Sequence, residues 1–189
     1  MGKYVYDKDY TDKLHLRIET LSGIRTLNLQ VTDGKVDNVT VDMGKAAVQE
    51  DMRLLVDGAE AVCTPVTVGN PHAVLFVNDI DKVPLTTLGP KLERHTAFPD
   101  GVNVEFVQVL GNNALRMRVW ERGSGVTMAC GTGACASVMA AISKNYCCYD
   151  APVAVHLDGG TLVIRIASDN TVTMTGPAEI VYEGENKLC

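Results

Sequence analysis

The sequence contains no apolar run near the length of a membrane span, which takes about 20 consecutive apolar residues. Its opening, MGKYVYDKDY, is too polar for a secretory signal. Met1-Gly2 begins a myristoylation pattern, but Tyr6 stands where that pattern requires Ser or Thr. A basic excess is missing as well: 17 Lys and Arg against 23 Asp and Glu leave a net charge of −6. Binders of phosphate backbones need a basic face, so nucleic acid is not an expected partner, and neither is a membrane. A cytoplasmic protein is the expectation. Low-complexity segments and usable internal repeats are also lacking.

Paired metal-binding spacings are scarce. Six cysteines are present: Cys63, Cys130, Cys135, Cys147, Cys148 and Cys189. Without a signal sequence, a secreted disulfide framework is not expected at this length. Cys130 and Cys135 are spaced as one half of a zinc site could be, but adjacent Cys147 and Cys148 cannot readily point at one metal. The histidines, His15, His72, His95 and His156, supply no H-x₃₋₅-H pair, so no metal site is expected.

What is present is an ordinary globular composition, 46% hydrophobic and 21% charged. Its 189 residues suffice for one well-packed domain, or one domain and part of a second. Period-two alternation dominates. Residues 14–20 (LHLRIET) read as a half-buried strand, and 27–41 (LNLQVTDGKVDNVTV) as a hairpin about Asp33-Gly34. Further strands are expected at 61–68, 73–77, 102–110, 114–121, 153–157, 161–166, 171–175 and 179–182. Turns at 111–113, 158–160 and 168–170 join several of them.

Two segments read as helices. Leu85, Leu88 and Leu92 share a face of 84–95, although Gly89-Pro90 weakens its middle. Residues 133–146 follow a Gly-Thr-Gly and carry small residues almost all round, so that helix is expected to be buried on every side. A small-residue helix among many strands implies an α+β sheet wrapped around a central helix. Residues 3–8 read as the tail of a further helix.

Three places could carry chemistry. In ACGTGA, Thr132 is a candidate N-cap, and Cys130 would sit beside the helix start. Free N–H groups and the positive end of the helix dipole there favour an anion, which lowers a thiol pKa from about 8.5 toward roughly 3.5–7.5. The N–H groups of Gly131, Thr132 or Gly133 could also hold a carboxylate. A buried structural thiol in a glycine turn is the plain alternative, and Cys135 is expected only to pack.

In RVWERGSGVT, alternation puts Glu121 on the side of Leu115, Met117 and Val119. Arg122 faces away unless the chain bends at Gly123 and Gly125, in which case its guanidinium could clamp a carboxylate. A surface ion pair at a strand end explains the same two residues. In VGNPHAVLFV, Asn70 offers an amide and His72 a proton relay, or else a turn with a satisfied histidine. Asn103, at a strand start, is an amide of the same kind.

Together and in this order, GNPHAV (69–74), LGPKLERHTAFPDGVNVEF (88–106), RVWERGSGVTMACGTGACA (118–136) and MTGPAEIVYEG (174–184) resemble diaminopimelate epimerase. The resemblance covers essentially the whole chain, including KYVYDK. It implies two pseudo-symmetric α/β domains, each a curved sheet around a central helix. It further implies a cofactor-independent interconversion of LL- and meso-2,6-diaminopimelate, on the route to lysine and peptidoglycan, by two cysteines on opposite faces of the substrate Cα. The family's second cysteine falls on Cys130, and its substrate-binding residues on Asn70, Asn103, Glu121, Arg122, Gly131 and Thr132. His72 and Glu121 match residues that assist the proton transfers.

The family's earlier cysteine-bearing motif would precede the KYVYDK-like segment and is not among these residues. Residues 29–174 are therefore expected to form the second domain, with 1–28 and 175–189 as portions of the first. Little or no epimerase activity is expected of the chain alone. An apolar face left open would favour self-association, in the simplest case a homodimer. A proline or hydroxyproline racemase-type isomerase, or a non-catalytic binding remnant, are the alternatives.

Overall fold

A computed structural model describes residues 1–21, 23–111 and 113–184. Cys189 lies outside the described residues. The chain divides into two compact units, residues 1–41 with 175–189, and residues 42–174.

In the first unit, helix α1 (Gly2–Asp7) precedes strands β1 (His15–Thr20), β2 (Gly23–Thr32) and the start of β3 (Lys35–Lys45). The β2–β3 turn takes the expected Asp-Gly form: Asp33 and Gly34 both have positive φ, 50° and 75°, which suits the right-handed twist of a hairpin. Alternation buries Leu27, Leu29 and Val36 together, with Leu16 and Ile18 against them. α1 closes on this patch at Gly2, where a Cβ would stand 2.8 Å from a Leu29 methyl. Asp7 fastens its end by accepting the Val36 N–H at 2.9 Å. Tyr10, Leu14, Leu21, Ile24, Val181 and Tyr182 remain exposed.

The second unit holds the remaining elements: β4 (Ala47–Val48), β5 (Met52–Val56), β6 (Ala59–Thr67), β7 (Pro71–Phe76), α2 (Leu85–Glu93), β8 (Asn103–Gly111), β9 (Ala114–Glu121), β10 (Gly125–Thr127), α3 (Gly131–Ser143), β11 (Pro152–Leu157), β12 (Gly160–Ile166) and the start of β13 (Thr171–Pro177). Its main sheet runs β13-β12-β11-β9-β8-β7-β6-β4, with β10 added to β9 and β5 to β6. Two neighbours are parallel, β7 with β8 and β9 with β11. A parallel pair needs a long crossover. The first crossover contains α2 and the second contains α3.

Alternate residues of the central strands face opposite ways. Val74, Val107, Met117 and Val119 join α3 in one core, and Ala73, Leu75, Val104 and Phe106 join α2 in the other. Ten consecutive residues of α3, 133–142, are buried, as its small-residue composition implies. No helix among the described residues is long and apolar enough to cross a membrane.

Residues 179–182 form no strand: after β13 ends at Pro177, the Ala178 N–H bonds once to the Asp37 carbonyl, and Val181 and Tyr182 lie 88% and 85% exposed. Alternation alone does not make a strand without a ladder partner. Helix α2 persists through Gly89-Pro90, because Leu85, Gly89 and Leu92 are buried against the sheet. Gly89 lies so close to Trp120 that a Cβ would fall 2.5 Å from the indole Cγ. Strands β4, β5 and β10 were not foreseen; two are only two and three residues long.

Candidate active site

The ends of β7, β8 and β9 and the start of α3 place most of the singled-out residues on one side of the sheet. His72 shares its face with Val74, Asn103 with Val107, and Glu121 with Met117 and Val119, all toward α3.

Cys130, not Thr132, is the N-cap of α3. Its backbone is extended (φ −137°, ψ 110°) and its Sγ accepts the Gly133 N–H at 3.3 Å. Thr132 is inside the first turn, with Oγ1 3.6 Å from Sγ. The N–H groups of Gly131 and Thr132 have no carbonyl four residues back within the helix, so this end can receive an anion. Gly131 lies under Met174, whose sulfur would be 2.9 Å from a Cβ there.

The expected lowering of the thiol pKa is also overturned. Burial pushes the Cys130 thiol up to about 11, and the negative charges of Glu105 and, less, Glu121 add to it. The bonds from Thr132 and Gly133 oppose this without prevailing. Desolvation of a thiolate outweighs two weak hydrogen bonds and the end of a helix dipole.

His72 is 1% exposed. Its Nδ1 lies 2.7 Å from Glu105 Oε1 and its Nε2 3.0 Å from Asn70 Oδ1. The Asn70 amide donates to Thr132 Oγ1 at 3.4 Å. A chain of polar contacts therefore runs Glu105, His72, Asn70, Thr132, Cys130. Glu105 escaped notice in the sequence. The signal was a carboxylate on an inward position of VNVEFVQV, where every neighbour on that face is apolar or an amide. Burial raises its pKa, and His72 opposes the rise.

A second group forms where β8 and β9 meet. Asn103 is paired with His72 across the parallel strands and donates to the Pro71 carbonyl at 3.2 Å. Its Oδ1 accepts the Arg122 N–H at 2.9 Å. Glu121 accepts from Thr127 Oγ1 at 2.5 Å across the β9–β10 hairpin. The chain does bend after Glu121, with Gly123 and Gly125 at φ 76° and 79°. The exposed Arg122 guanidinium donates to the Asp100 carbonyl at 2.9 Å.

Glu93, at the end of α2, fastens this turn. Its carboxylate accepts the Trp120 indole N–H at 2.7 Å and the Gly123 N–H at 3.0 Å. Nothing in the spacing of LGPKLER pointed to that role. The other described cysteines stand apart from this arrangement: Cys63 packs in the α2-side core, Cys135 and Cys147 are buried in the α3 core, and Cys148 is exposed. Among the described residues no three His, Cys, Asp or Glu side chains form a metal-binding group.

Residues 64–181 match the family model described as diaminopimelate epimerase. A diaminopimelate epimerase of Phocaeicola vulgatus is 48% identical over 201 aligned residues, covering 100% of this chain and 71% of that protein. One of Bacillus licheniformis is 45% identical, covering 98% of this chain and 70% of that protein. Among solved structures, a probable proline racemase from Agrobacterium radiobacter superposes with a TM-score of 0.72 at 15% identity. It is covered to 65%, and 96% of this chain takes part. That likeness is one of fold.

Proposed function

Because this chain belongs to the diaminopimelate epimerase family of isomerases, we propose that it carries one acid/base half of a site interconverting LL- and meso-2,6-diaminopimelate. Inverting a carbon acid without a cofactor takes a base on one face of Cα and an acid on the other. Cys130 is the group for one face. As a thiol it delivers a proton to the planar carbanion; as a thiolate it removes the α-proton in the reverse direction.

The carbanion needs its charge spread into the substrate carboxylate, which calls for fixed donors. The free N–H groups of Gly131 and Thr132 at the start of α3 suit that task, and Arg122 suits a carboxylate at either end of the substrate. Asn70 and Asn103 suit the remaining polar groups of a diamino diacid. His72 assists by fixing Asn70, and Glu121 by adding to the negative charge around Cys130. The observation that carries the assignment is the Cys130 side chain serving as cap of α3, with its sulfur on the Gly133 N–H.

None of Cys63, Cys135, Cys147 and Cys148 shares that setting, so the opposing group is not among them. The chain alone is therefore expected to bind substrate and not to turn it over. Titration calorimetry with meso-diaminopimelate tests this. Binding heat is expected for the chain, weakened about tenfold in Arg122→Ala by loss of a charge-assisted contact. Heat that is the same in both proteins refutes the assignment.

A proline racemase-type isomerase shares the two-base logic and the fold. The 45–48% identical relatives, and the Asn70, Asn103 and Arg122 set, favour the longer diacid. Competition between proline and diaminopimelate in the same calorimeter separates them.

A further inference from the structure

Glu105 is the most anomalous side chain of the second unit. It is 0% exposed in the middle of β8, one oxygen is bonded to His72, and Oε2 has no hydrogen-bond partner among the described residues. Buried carboxylates are costly unless paired, so a half-satisfied one signals a role.

Gly133 shows where this carboxylate is aimed. A Cβ on Gly133 would stand 2.7 Å from Glu105 Oε1 and 3.1 Å from Cys130 Sγ. The carboxylate and the thiol thus converge on one point in the first turn of α3, and only the absence of a side chain there lets them approach. Two anions so close in a desolvated site cannot both ionise cheaply.

We propose that Glu105 and Cys130 compete for a single negative charge at the start of α3, and that Glu105, backed by His72, holds it, so that Cys130 rests as a thiol. This rests on Cys130 being one of the acid/base groups, and it adds which form it takes before substrate arrives. Glu105 touches no reacting atom; it is a positioning residue that acts through the charge it holds and through the ring of His72. With Asn70 Oδ1 accepting at Nε2, the His72 ring carries a proton on that nitrogen. Nδ1 faces Glu105 Oε1 at 2.7 Å, the contact that backs the carboxylate. The other ionisable groups facing Cys130 are Glu121, from β9, and Cys135, from α3 itself. Glu121 adds to the same effect from further away, and Cys135 is a buried thiol pushed up to about 12.

The test reads the Cys130 proton directly and uses no epimerase turnover, so it fails independently of the functional assignment. In the full chain labelled with [3-¹³C]cysteine, the Cβ signal of Cys130, identified by its loss in Cys130→Ser, is followed against pH. The expected result is no titration below about pH 10, and in Glu105→Gln a midpoint lower by about one pH unit or more, the size of shift a near like charge produces. A wild-type midpoint at or below the ordinary thiol value of about 8.5 overturns the proposal, and so does a midpoint that Glu105→Gln leaves in place. Should Glu105→Gln fail to fold, Glu105→Asp withdraws the charge by one methylene. A smaller fall in the same direction is then expected, and an unmoved midpoint overturns the proposal.

Discussion

Replacing Gly133 by alanine sets two effects of opposite sign against each other. Within a helix, alanine is better than glycine by about 0.8–1 kcal/mol, so propensity alone predicts a more stable chain. The surroundings predict otherwise. The new Cβ would lie 2.7 Å from Glu105 Oε1, 3.2 Å from its Cγ and 3.1 Å from Cys130 Sγ. The carboxylate cannot swing aside freely, since it is fully buried and bonded to His72. Overpacking of this kind costs about 1–3 kcal/mol, and weakening a buried bond to a charged group costs about 1.5–3 kcal/mol more. The helix gain offsets only part of this, leaving a net loss of about 1.5–5 kcal/mol. For a chain of 189 residues that lowers Tm by roughly 3–20 °C, read by differential scanning calorimetry. An unchanged or higher Tm would mean that Glu105 and Cys130 do not crowd this position, and the account of the site would fail with it.

Other perturbations separate the site from its support. Glu93 is held below the usual carboxylate value, chiefly by the Trp120 indole N–H and despite partial burial. A carboxyl lower in the folded than in the unfolded chain contributes stability above its unfolded value and loses it as pH falls through the folded one. Trp120 is the chain's one tryptophan, so its emission should shift as pH drops below about 4.5, and Glu93→Gln should abolish that step. Persistence of the step in the variant would assign it to another carboxyl. Phe106→Ala, at a side chain 2% exposed in the α2-side core, is expected to cost about 3–5 kcal/mol in a denaturant titration. Arg122→Ala, at an exposed side chain, is expected to change stability by less than about 0.5 kcal/mol while weakening diaminopimelate binding. A large loss of stability there would make Arg122 structural.

Much of this architecture is legible in the sequence because one face of most strands is buried. The run 114–121 alternates cleanly, and Leu115, Met117 and Val119 are each 1% exposed or less. Asp33-Gly34 specifies its turn through φ alone. The all-round small residues of 133–142 can only be a helix enclosed by strands. What fails is what local pattern does not encode. Residues 179–182 alternate but have no ladder partner. The cap of α3 is decided by which side chain meets the Gly133 N–H, and the cysteine one residue before the helix reaches it where Thr132 does not. The direction of the Cys130 shift depends on burial and on Glu105, 25 positions earlier in the chain, and neither is visible in ACGTGA. Glu105 and Glu93 are read as ordinary charges until the fold shows that both are buried and bonded.

The proposed role of Cys130 is to exchange a proton with the α-carbon of diaminopimelate. It is tested most directly by incubating the chain with each stereoisomer in D₂O and following α-deuterium by NMR as a function of pH. Because a thiol raised to about 11 acts as a base only in its small thiolate fraction, exchange should rise about tenfold per pH unit between pH 7 and 9. It should appear in one stereoisomer without conversion to the other, and vanish in Cys130→Ala. Exchange that survives Cys130→Ala, or full interconversion by the chain alone, would contradict the account.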